Sequence, residues 1–74
     1  MSQAATAFKI GSKVRVDLEQ VRDRIPGALR ELLIQNSRGT IIDYKMTDGG
    51  DIGVVLELSD GKTSWFFGDE IVRA

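Results

Sequence analysis

Ile52-Gly53-Val54-Val55-Leu56-Glu57-Leu58-Ser59-Asp60-Gly61-Lys62-Thr63-Ser64-Trp65-Phe66-Phe67 reads as two β-strands joined by a tight turn. Both arms are rich in β-branched and aromatic residues, and Asp-Gly between such arms is a strong hairpin signal. With Asp60 and Gly61 as the two loop residues of a type I′ turn, Ser59 faces Lys62, Leu56 faces Trp65 and Val55 faces Phe66. The pleat then sends Val54, Leu56, Leu58, Thr63, Trp65 and Phe67 to one face, predicted to be the core face. Val55, Glu57, Ser59, Lys62, Ser64 and Phe66 go to the other. Val55 and Phe66 thus form an outward pair, aliphatic beside aromatic, of the kind enriched where proteins touch proteins.

Upstream, Gly39 to Tyr44 forms another strand, separated from Ile52 by Thr47-Asp48-Gly49-Gly50-Asp51, a composition suited to a reversal. Earlier still, Lys13-Val14-Arg15-Val16 alternates basic and β-branched residues after Gly11, the pattern of a half-buried strand with both valines inward. Asp17 to Asn36 is long for a loop. It holds Pro26 followed by Leu29, Leu32 and Leu33 at helical spacing, so a short helix from about Pro26 to Gln35 is predicted, its leucines capping one end of the core. Downstream, Gly68-Asp69-Glu70 turns into a last short strand at Ile71-Val72. Five strands and one long early connection predict an all-β fold: a small five-stranded SH3-like barrel with one short helix in the long loop after the first strand. Residues 1–7 contain nothing to anchor them and are expected to be a flexible N-terminal end, leaving 8–74 as the single domain, a monomer when free.

The 74 residues include no cysteine and no histidine. Disulfides, thiolate metal sites, the usual general base at neutral pH and every Ser/His or Cys/His nucleophile are thereby removed, and no cofactor is expected. The carboxylates Asp48 and Asp51 lack the distal glutamate of a calcium loop, and Gly49-Gly50 lacks the lysine and helix that cradle phosphate. Asp69 and Glu70 would need a substrate pocket for which so short a chain has little room, so an enzyme is not expected. Ten Lys and Arg against eleven Asp and Glu give a net charge of −1, and the pI of about 5.2 argues against a module that tracks a phosphate backbone. The charges are unevenly spread: Met1 to Ile42 carries seven basic and four acidic residues, Asp43 to Glu70 two basic and seven acidic. No apolar run approaches the roughly 20 residues of a membrane span, and the first residues lack the basic start and apolar stretch of a signal peptide, so a soluble, cytosol-facing protein is expected.

The run from Gly39 to Leu58, followed by Asp60 to Phe67 and by Asp69-Glu70-Ile71, resembles the PetP family, small peripheral subunits of the cytochrome b6f complex in cyanobacteria and red algae. Phe8 to Val16 and Arg24-Ile25-Pro26 are similar too, so the likeness covers nearly the whole chain from Phe8 on. It implies a cofactor-free regulatory subunit with no transmembrane span of its own, bound to cytochrome b6f subunits on the cytoplasmic side of the thylakoid membrane. There it would tune linear against cyclic photosynthetic electron transport. Two other readings stay open. A nucleic-acid-binding barrel of the KOW or Tudor type shares the Gly-x-x-Val-x-Val pattern of Gly11 to Val16, but the acidic half of the chain counts against it. A docking module for a soluble electron carrier such as ferredoxin, which is acidic, would have to use the basic face. For the protein-binding surface, Phe66 and Val55 are predicted to supply short-range apolar contact, and Lys13, Arg15 and Arg38 longer-range attraction.

Overall fold

The alternating segments form strands β1 (Lys13–Val16), β2 (Arg38–Met46), β3 (Ile52–Leu58), β4 (Thr63–Phe67) and β5 (Ile71–Arg73) in the computed structural model, which describes residues 8–74. The expected flexible end, 1–7, lies outside the described residues. Two helices, α1 (Leu18–Val21) and α2 (Gly27–Gln35), occupy the long connection after β1, and a 3-10 turn, Gly68–Glu70, joins β4 to β5. All strands lie in one antiparallel sheet in the order β4-β3-β2-β1-β5.

That order bends the sheet. Its edge strands β4 and β5 would stand about 19 Å apart in a flat sheet at about 4.8 Å per neighbour, yet the three-residue turn between them reaches no more than about 14 Å. The sheet therefore curls around its apolar side. Among the described residues no ladder joins β4 to β5. Inside the curl are Val14, Val16, Ile41, Val54, Leu56, Leu58, Phe66 and Ile71, with Phe8, Val21, Ile25 and Leu33 covering the openings. Leu29 and Leu32 pack partly against this core, so α2 buries its leucines as its spacing predicts.

Two local devices keep the pleat in phase. A bulge between Ile41 and Asp43 leaves Ile42 unopposed, so Ile41 opposite Leu56 and Tyr44 opposite Val54 both face inward although three positions apart. The Tyr44 hydroxyl then donates to the Phe8 carbonyl, tying the entry segment to the far end of β2. The second device is the β3–β4 turn, and here the structure corrects the sequence expectation. The Gly61 amide donates to the Leu58 carbonyl at 3.0 Å, and the Leu58 amide to the Lys62 carbonyl at 2.9 Å. Gly61 has φ +83°, but Asp60 does not enter positive φ, as a type I′ turn would require of both Asp60 and Gly61. Three residues, Ser59 to Gly61, thus form the connection, with Gly61 as the left-handed bulge residue.

The extra loop residue moves the register by one: Val55 faces Trp65, Val54 faces Phe66 and Gly53 faces Phe67. Every side chain of β4 changes face relative to the expectation. Phe66 is fully buried, at 0% exposure, so its predicted outward position is wrong. Trp65, expected in the core, is half-buried on the outer face. The β3 half of the expectation stands, since Val54, Leu56 and Leu58 are buried and Val55 is only half so.

The early connection holds a helix the sequence reading did not predict. Asp17 caps α1 by accepting the Glu19 amide at 3.0 Å, and Val21 is buried. Helix α2 starts one residue later than expected, with Pro26 as its extended N-cap residue.

Candidate functional site

Cross-strand register lays out the outer face of the sheet in rows. Phe67, Gly53 and Lys45 form one row, Trp65, Val55 and Asp43 the next, and Thr63, Glu57, Thr40 and Lys13 the third. Arg38, Arg15 and Val72 continue it at the other end. Four of the five residues predicted to bind a partner, Val55, Lys13, Arg15 and Arg38, therefore share one sheet face. Phe66 does not, and Trp65 takes its place beside Val55.

The aromatic end of this face is held by a residue from the α1–α2 connection. Arg24 donates through Nε to Glu70 Oε2 at 2.7 Å and through its terminal nitrogen to Oε1, a two-pronged pair. Glu70, 4% exposed, also accepts the Phe67 amide at 2.8 Å, which closes the 3-10 turn. The guanidinium lies 4.8 Å from the Trp65 ring centre and 5.0 Å from that of Phe67. The two rings meet edge to face at 5.0 Å. Below them, a Cβ on Gly53 would come within 2.9 Å of Trp65 Cε3 and 3.1 Å of the Phe66 carbonyl oxygen, so only glycine lets the indole settle there. Glu70 is thus structural, while Asp69 beside it is exposed. Residues 24 and 70 lie 46 positions apart, and no spacing rule along the chain connects them.

The other end is basic. Arg15 stands directly opposite Arg38, an unfavourable like-charge cross-strand pair, and Lys13 lies two residues along β1. All three are exposed, and Lys13 Nζ donates to Thr40 Oγ1 at 2.7 Å. Among the described residues the Arg24–Glu70 pair is the one salt bridge, so no carboxylate neutralises this strip. Among the same residues, no group of three or more carboxylates is placed to hold a metal ion.

A family model described as "Cytochrome b6f, subunit Tsr0524-like" matches residues 10–72. The chain belongs to that family. The match takes in Arg24, Glu70, Gly53, Val55, Trp65 and Phe67, hence the whole aromatic end, along with Lys13, Arg15 and Arg38. Among solved structures the chain is similar to the solution structure of the cyanobacterial cytochrome b6f complex subunit PetP. The identity is 36%, over 90% of this chain and 80% of that one, with a TM-score of 0.70. The resemblance read from the sequence is met by both findings. No curated protein matches the chain. The family is one of cytochrome b6f subunits, not an enzyme family, and no helix among the described residues is long and apolar enough to cross a membrane.

Proposed function

We propose that this protein is a cofactor-free, non-catalytic regulatory subunit that attaches peripherally to the cytochrome b6f complex at the cytoplasmic face of the thylakoid membrane and tunes linear against cyclic electron transport. The family match over residues 10–72 carries the proposal. The outer sheet face supports it. Trp65, Val55 and Phe67 offer half-buried apolar surface on a rigid support, and Lys13, Arg15 and Arg38 lack neutralising partners on the same face. Apolar anchors of this kind supply short-range affinity, whereas exposed charges speed and orient encounter.

The test is to purify a tagged copy from solubilised photosynthetic membranes and identify its companions by mass spectrometry. Recovery of cytochrome b6f subunits in constant ratio is expected, and their absence from a preparation that retains the folded tagged chain would overturn the proposal. The unneutralised strip also favours a second reading, docking of an acidic soluble carrier such as ferredoxin. Titrating the isolated chain with ferredoxin, by NMR, separates the two: that reading requires shifts centred on Lys13, Arg15 and Arg38.

A further inference from the structure

We propose that the groove between the 47–51 loop and the aromatic residues of β4 receives a basic, apolar-flanked peptide segment of the protein partner. In this arrangement a Lys or Arg side chain lies between Asp48 and Asp51, and an adjacent aliphatic side chain lies against Trp65, Phe67 and Met46. The groove has a volume of about 340 Å³, and its walls include these five residues and Lys45. That is room for one or two side chains.

Three observations point to this occupant. The apolar wall is preformed, because Arg24 is fixed by Glu70 and packs on both rings, so little ordering is needed when a partner arrives. Folding leaves Met46, which borders the groove, 68% exposed, and methionine adapts well to foreign apolar surfaces. The surroundings are acidic: Asp48 and Asp51 are exposed without an ion-pair partner among the described residues, and Asp43 and Glu57 lie on the same sheet face. Lys45 is the one opposing charge in the groove, Arg24 being already matched by Glu70. A cationic segment with an apolar neighbour complements this mixture. The choice of occupant rests on the proposed attachment to the cytoplasmic face, where loops of membrane proteins are enriched in Lys and Arg.

The experiment uses the full 74-residue chain, isotope-labelled, with a blocked hexapeptide of alternating Arg and Leu as probe and Glu/Leu and Arg/Gly peptides as controls. NMR shifts confined to Met46 to Asp51, Phe67 and the Trp65 indole are expected for Arg/Leu. Arg/Gly should bind more weakly, and the D48N/D51N double variant should lose roughly tenfold in affinity at low salt. Equal binding of Glu/Leu, shifts centred on Lys13 and Arg15, or an unchanged D48N/D51N affinity would overturn the proposal. So would concentration-dependent dimerisation through Met46 and Trp65, which would make a second copy the occupant. The isolated cytochrome b6f complex separates this inference from the function it builds on. If D48N/D51N binds the complex like the parent, the groove is the wrong site and the attachment stands. If the parent ignores the complex but binds Arg/Leu through the groove, the attachment fails and the groove stands.

Discussion

Phe66 and Trp65 are neighbours in sequence with opposite fates, and substitution should separate them. Phe66 fills the core at 0% exposure, so Phe66→Ala should cost about 3–5 kcal/mol. Against the roughly 5 kcal/mol at the lower end of domain stabilities, that leaves the chain largely unfolded. A urea titration followed by circular dichroism checks this, and a variant within 1 kcal/mol of the parent would contradict the observed register. Trp65→Ala removes a half-buried outer ring and should leave a folded protein. Its expected cost is in binding, about 2 kcal/mol or more towards the complex, read as faster dissociation with a preserved two-dimensional NMR spectrum. Gly53→Ala acts on the same ring from beneath. Its Cβ has no room beside Trp65 and the Phe66 carbonyl, so a loss of about 1–3 kcal/mol and a displaced indole NMR signal are expected.

At the scale of elements, the turn after β3 and the clamp before β5 decide what the sheet presents. Gly61 sits at φ +83°, and Gly61→Ala should cost about 1–2 kcal/mol. Asp60, whose φ is not positive, gives up only its side-chain bond to the Lys62 amide. Asp60→Ala should therefore cost less than Gly61→Ala, whereas a two-residue type I′ loop would make both positions demand left-handed backbone. Chemical denaturation of the two variants side by side measures the difference. The clamp is tested by Glu70→Gln, which keeps the shape and removes the charge. About 1–2 kcal/mol should be lost as the charge-assisted bonds from Arg24 weaken. A change in Trp65 fluorescence should accompany the loss, because the guanidinium no longer holds its place over the ring.

For the whole molecule, charge runs across one face from the acidic, aromatic end to the strip of Lys13, Arg15 and Arg38. Neutralising these three to Gln should slow association with an acidic site on the partner, with the effect shrinking as salt is raised past the point where screening falls to about 8 Å. Stability should change little or rise slightly, since Arg15 and Arg38 oppose each other across the ladder. Association rates at two salt concentrations, beside thermal unfolding, check both halves of this statement. A slowed association that is independent of salt would exclude an electrostatic role for the strip.

Much of this protein was legible from composition and periodicity alone. Alternation marked the strands, Pro26 and the leucines marked α2, and the missing histidine and cysteine bounded the chemistry. The segments quoted from Gly39 onward also carried the family likeness. These are local properties, set by residues within a few positions of one another, and a chain displays them before it folds. Which aromatic faced outward was not local in the same way. A type I′ loop and a three-residue loop with a bulge both accept Ser-Asp-Gly, and they differ by a single residue of register, which inverts a whole strand. Packing chose between them: in the observed register Phe66 enters the core opposite Val54, while Trp65 gains Gly53 beneath it and Arg24 beside it. That choice depends on Glu70, 46 residues from Arg24, being brought close enough to fix it, and contacts between residues so distant in sequence exist only once the sheet has curled.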